Sequence, residues 1–128
     1  MGGGADVTAA TVAPLLAITV ACALANIGVA VADWRQAPFV MANSSEVGVA
    51  SSAIPYLGAM KMAGGVGLLA GLVLTPWLGL AAAVGLVLFF TAAVTVHLRA
   101  RVLHNIAFPM GYLGLAVCSA AYFATVIG

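Results

Sequence analysis

Val84-Gly85-Leu86-Val87-Leu88-Phe89-Phe90-Thr91-Ala92-Ala93-Val94-Thr95-Val96-His97-Leu98-Arg99-Ala100-Arg101 is the stretch whose reading decides the fold. It begins as an uninterrupted apolar helix and ends in a polar cluster of Thr91, Thr95, His97, Arg99 and Arg101. In a soluble protein so greasy a helix would be a core element ringed by charged surface. The rest of this chain is just as apolar: 65% of its 128 residues are hydrophobic and 5% charged, against roughly 25% charged in a soluble domain. Four Lys or Arg and three Asp or Glu cannot clothe a water-facing surface of this size. The solvent is lipid, and the helix crosses a bilayer to end in basic groups at one face. A net charge of +1 with no basic run excludes a nucleic-acid surface.

Working outward, the chain offers four spans: about 11–32, 55–74, 78–97 and 106–127. Each is near the roughly 20 residues that cross a hydrocarbon core. Pro14 and Pro109 fall in opening turns, Pro55 suits a first helical position, and Thr75-Pro76 closes the second span. The expected architecture is an all-α membrane protein: a single four-helix transmembrane bundle over 1–128. Met1 to Ala9 lacks Lys and Arg and reads as a short flexible tail, without signal-peptide or myristoylation features. Small residues at four-residue spacing mark close helix contacts: Gly67 with Gly71, Ala21 with Ala25, Gly28 with Ala32, and Ala81 with Gly85.

One connection is out of proportion. The roughly twenty residues from Trp34 to Ile54 exceed the 12–15 beyond which loops are usually functional or disordered. The segment is too apolar for disorder, and Asn43-Ser44-Ser45-Glu46 carries a helix-start pattern. A short interfacial or half-inserted helix over about 45–52, lying across the bundle mouth, is the expectation.

The ionisable side chains are placed unevenly. In an up-down-up-down bundle Asp33, Arg35, Glu46, Lys61, His97, Arg99, Arg101 and His104 share one face, and Asp6 is at the other. Topology accounts for the basic residues, because Lys and Arg stay cytoplasmic. The expected setting is then a bacterial-type plasma membrane, with polar connections inside and both termini outside. Topology accounts less well for Asp33, Glu46 and both histidines. Lys61, some 9 Å in from Pro55 at 1.5 Å per residue, either snorkels or faces the interior. Asn26, Thr91 and Thr95 extend a polar funnel inward from that end.

The run Leu57-Gly58-Ala59-Met60-Lys61-Met62-Ala63-Gly64-Gly65, then Leu68-Leu69, Pro76, Gly79, Ala82 and Ala92-Ala93-Val94-Thr95-Val96-His97, resembles the DoxX-like family of small four-helix membrane proteins. The resemblance covers about Pro55 to Tyr122. Members of the better-known DoxX branch often carry Glu where this chain has Lys61. The resemblance implies the four-helix fold and a link to quinone-coupled oxidoreductases, in a functionally diverse group.

The residues themselves suggest acid–base chemistry. A carboxylic acid in an apolar pocket can act as a general acid near neutral pH. Asp33, Glu46 and His97 are the catalytic candidates. Asn26, Lys61, Phe90, Thr91, Thr95, Arg101 and Tyr112 are the candidates for holding substrate. A lipophilic, isoprenoid-like molecule would leave its tail among Phe89, Phe90 and Met60 or Met62, and would undergo isomerisation, epoxide opening or cyclisation without a cofactor. The rival reading of Asp33 and Glu46 is structural ion pairing with Arg35, Arg99 or Lys61.

Two alternatives of other classes stand beside it. A quinone-binding subunit of a redox complex needs a polar anchor such as His97, Arg101 or Tyr112, and a soluble oxidoreductase partner. A non-catalytic assembly protein, alone or as a homo-oligomer, needs neither. Haem is disfavoured because a helix end separates His97 from His104. The His and carboxylate set lacks metal-ligand spacing. Cys22 and Cys118 read as small packing residues.

Overall fold

The computed structural model describes the backbone of residues 2–128 and the side chains from residue 10 onward. Five α-helices form among them: α1 (Gly2–Trp34), α2 (Pro38–Glu46), α3 (Ile54–Val73), α4 (Pro76–Arg99) and α5 (Ala107–Ile127). Four helical stretches are long and apolar enough to span a bilayer: Ala10–Trp34, Ser51–Val73, Pro76–Arg99 and Ala107–Ile127. The chain is a multi-pass integral membrane protein, and the four expected spans correspond to α1, α3, α4 and α5.

Local chemistry sets the boundaries. Pro76 opens α4 two residues earlier than expected, because the Thr75 hydroxyl caps it by accepting from the Trp77 N–H at 3.4 Å. α1 begins at Gly2, so the expected flexible tail is helical, and Pro14 lies inside the helix instead of its first turn. The side chain of Asp6 lies outside the described residues.

The helix expected over 45–52 is corrected. The structure puts a helix at Pro38–Glu46, then a single 3-10 turn at Ser51–Ala53. Pro38 sits at a first helical position where its missing N–H is harmless, and Asn43-Ser44-Ser45-Glu46 ends the helix instead of starting one. Gly48, at φ 79°, turns the chain away beyond it.

α1 and α4 each pack against α3 and α5, so α1 and α4 occupy opposite corners of the bundle. The outer surface is apolar, with Leu24, Val73, Leu88 and Phe108 exposed, whereas Thr19, Asn26, Asp33 and Ser119 are buried. That inversion of the soluble pattern suits lipid. The buried Thr19 and Ser119 hydroxyls are satisfied on their own helices: Thr19 donates to Leu15 O at 2.7 Å and Ser119 to Leu115 O at 2.8 Å.

Glycine decides how closely α3 and α4 approach. A Cβ on Gly71 would collide with the Gly79 backbone, and one on Gly67 would lie 2.7 Å from the Ala82 Cβ. A Cβ on Gly79 would run into the Phe123 ring, which fills the floor of the core. The Gly67–Gly71 pair is thus a true helix seam. Gly28 and Gly85, whose spacing suggests contact glycines, have open space around them instead.

Candidate functional site

Asp33 lies in the last turn of α1 and is 1% exposed. Its Oδ2 accepts from Lys61 Nζ at 2.8 Å, and the Lys61 side chain is 15% exposed. The geometry follows from helix direction. α3 runs antiparallel to α1, with Gly58 against Asp33 and, two turns on, Gly65 against Asn26 and Ala23. Side chains tilt toward the N-terminus of their helix, so Lys61, one turn deeper than Gly58, reaches back up to the carboxylate.

Gly58 makes room for the pair. A Cβ there would lie 3.0 Å from Asp33 Cβ and 3.0 Å from Trp34 Nε1. Trp34 in turn donates its indole N–H to Pro55 O at 3.1 Å, pinning the end of α1 to the start of α3. The bare backbone of Gly58 lets α3 close on Asp33, with Trp34 beside it. Removing one partner of such a pair strands a charge in low dielectric, which costs about 3–5 kcal/mol.

On its other side the ammonium stands 5.6 Å from the centroid of the Phe89 ring. An ammonium has three N–H donors, and the carboxylate takes one of them. Phe89 also walls an apolar cleft of about 310 Å³ between α3 and α4, with Met60, Ala63, Gly64, Ala82, Gly85 and Leu86. Met60, Ala63 and Gly85 are exposed, so the cleft opens on the outer, lipid-facing side of the bundle. Toward the 74–75 turn it is closed by the Gly67–Ala82 and Gly71–Gly79 contacts. A second cavity of about 340 Å³ lies beside the end of α2, lined by Met41, Ser45 and Val49 to Ser51. It is larger, and no charged side chain lines either cavity, but the Phe89 wall of the first stands beside the Lys61 ammonium, so chemistry favours the first.

The other expected site residues separate into distinct groups. His97, 4% exposed, has both ring nitrogens engaged away from the ion pair: Nδ1 with Ala93 O at 2.9 Å and Nε2 with Asn43 Oδ1 at 3.2 Å. Asn105 Nδ2 donates to the same Asn43 oxygen at 2.7 Å. Glu46 pairs with His104 at the exposed face, away from Asp33. Thr91 and Thr95 are exposed, and their hydroxyls donate to Val87 O at 2.6 Å and Thr91 O at 2.8 Å. Arg101 is exposed in the turn after α4, at φ 58°.

Asn26 is fully buried two turns below Asp33. Its Nδ2 donates to Cys22 O at 2.9 Å, which leaves Oδ1 buried without a partner. Phe90 stacks on Tyr112 with ring centroids 5.0 Å apart, and the Tyr112 hydroxyl donates to Ala25 O at 3.3 Å. The structure therefore brings together Asp33, Lys61 and Phe89, and separately His97, Asn43 and Asn105. Reasoning from sequence misses Trp34, Gly58, Asn43 and Asn105. Trp34 beside Asp33 is the one available signal, because tryptophan at a membrane face often anchors a helix end.

The model of the DoxX-like family matches residues 17–119, which takes in Asp33, Gly58, Lys61, Phe89 and His97. No curated protein and no solved structure matches the chain. With four membrane-spanning helices and a match over most of its length, the chain belongs to the DoxX-like family.

Proposed function

We propose that the protein is a membrane-embedded acid–base enzyme that isomerises a lipophilic, isoprenoid-like molecule at the Asp33–Lys61 pair. One observation carries the reading: the ammonium of a buried ion pair stands against the Phe89 ring, and the same ring walls an apolar cleft that opens to lipid. A substrate with a carbonyl beside a double bond would lay its tail in the cleft and its oxygen toward Lys61. The Asp33 carboxylate takes a proton from the activated carbon, and the electron pair moves onto the oxygen as an enolate. The Lys61 ammonium hydrogen-bonds that oxygen where its charge develops. Asp33 then returns the proton to the far carbon. The double bond has moved, no atom is gained or lost, and no redox cofactor enters. His97 takes no part in these steps because its nitrogens are engaged with Ala93 and Asn43.

A direct test works even while the substrate is unidentified. Protein purified in mild detergent and equilibrated in heavy water is extracted, and its bound lipids are weighed by mass spectrometry. Carbon-bound deuterium is expected in a lipid from the wild-type protein and absent with Asp33→Asn. A bound lipid that never acquires deuterium would overturn the acid–base reading.

The alternative is a quinone held for a soluble oxidoreductase. An ion pair of no net charge, its ammonium beside the Phe89 wall of an apolar slot, favours a neutral carbonyl head equally well. A quinone retained without deuterium uptake would select it. For orientation, the clustering of Arg35, Lys61, Arg99 and Arg101 at one end supports termini outside a bacterial-type plasma membrane. Labelling of Gly128→Cys from the cytoplasmic side alone would reverse that assignment.

A further inference from the structure

Helix α2 lies across the diagonal of the bundle. It leaves the end of α1 and, through Asn43, meets His97 at the end of α4 and Asn105 just before α5. α1 and α4 are opposite corners. For helices packed 8–10 Å apart, that diagonal is about 11–14 Å, and the nine residues of α2 span about 13 Å at 1.5 Å per residue. The helix is long enough to cross the mouth, and Asn43, its sixth residue, already meets His97. At this end of the bundle Asp33 and His97 are 1% and 4% exposed although each sits in the last turn of its own helix, and His97 is in contact with α2.

The fastening is slight and polar. Val40 is the buried residue of α2. Both ends of the helix run into left-handed backbone, at Gln36 with φ 52° and Gly48 with φ 79°. A non-glycine residue in that region is uncommon, and such residues cluster in switch segments and clamps. What ties α2 down over the mouth is the His97–Asn43–Asn105 network, with the exposed Glu46–His104 pair beyond it.

We propose that α2 is a hinged lid over the Asp33–Lys61 pair, closed by His97 acting as its clamp through Asn43. Opening swings α2 about Gln36 and Gly48 and admits water or a polar head from the membrane face, while the α3–α4 cleft serves the lipid side. The clamp is compatible with either charge state of His97. Nδ1 carries a proton because it faces the Ala93 carbonyl, which only accepts. A protonated Nε2 donates to Asn43 Oδ1, whereas a bare Nε2 accepts from the Asn43 amide turned over, with the Asn105 amide turned as well so that its Oδ1 accepts the other Asn43 N–H. His97 is thereby a positioning residue. A lid closed in this way would cover a held quinone as well as an isomerase substrate.

The test uses Ala30→Cys, a fully buried position one turn below Asp33, and a small water-soluble thiol reagent. Modification is read by peptide mass, so that Cys22 and Cys118 are scored separately. In the parent, Ala30→Cys reacts slowly beside Ser45→Cys on the exposed end of the lid. Adding Asn43→Ala raises its rate at least tenfold, with Cys22 and Cys118 unchanged. Asn105→Ala, which cuts the second arm, moves the rate the same way and serves if Asn43→Ala does not fold. Equal rates with and without the network in folded protein overturn the proposal, as does an Ala30→Cys that already reacts as fast as Ser45→Cys.

Discussion

The two ends of the α3–α4 pair are built on opposite principles. Near the 74–75 turn, Gly71 meets the Gly79 backbone above the Phe123 ring, and nothing polar intervenes. At the other end the same helices part around a cleft, and Lys61 turns to Asp33 on a third helix. Small residues serve both ends, but to different purpose: at Gly71 they remove space, and at Gly85 they leave it. The closed end holds the bundle together by van der Waals contact. The open end carries a buried charge pair, which contributes little net stability against a well-packed apolar substitute. That difference is the physical ground for placing function at the open end.

Several substitutions bear on this contrast. The largest expected effect is Lys61→Met, which strands the Asp33 carboxylate and lowers stability by about 3–5 kcal/mol in detergent unfolding. Combining it with Asp33→Leu should restore most of that loss while abolishing deuterium uptake. If the double variant remains as unstable as the single one, the pair belongs to the scaffold and the contrast fails. Next, Gly79→Val drives a branched side chain into Phe123 and should cost about 1–3 kcal/mol, read as a lower melting temperature with the ion pair intact.

Trp34→Phe removes the hydrogen bond to Pro55 O and should cost about 1 kcal/mol; an unchanged melting curve would show that Gly58 suffices to seat Asp33. Smallest in stability is Gly85→Leu, expected within about 0.5 kcal/mol because that position is open. Its effect should appear in bound lipid instead. Loss of the co-purifying lipid with Gly85→Leu, but not with Gly114→Leu on an equally open site of α5, would mark the cleft as the tail slot. Equal retention in both would remove it.

Much of this architecture is legible in the residues alone. The spans read near 11–32, 55–74, 78–97 and 106–127 lie within or close to the helices, and Pro76 and Pro109 sit near helix starts as proline should. The long connection is structured, as its apolar composition implies, but its helix lies about seven residues earlier than the helix-start pattern suggests. Asn43-Ser44-Ser45-Glu46 resembles a start, and its actual role as an end depends on Pro38 upstream and the Gly48 turn downstream. For the site, Asp33 and Lys61 both stand out by their residue type and depth, with their pairing to one another among the alternatives. That His97 faces Asn43 is invisible in the sequence, because the two lie 54 residues apart and no local pattern links them.

By itself the sequence determined the solvent, the number of crossings and the end at which charge collects. Those depend on local composition and on the length of each apolar run. Only the tertiary structure decided which polar groups meet. These helices are apolar almost all the way round, so no stripe reveals how each is rotated about its axis. Rotation is set by glycine contacts such as Gly58 on Asp33 and Gly71 on Gly79, made between residues on different helices. They turn Lys61 inward to Asp33 and leave Thr91 and Thr95 facing outward.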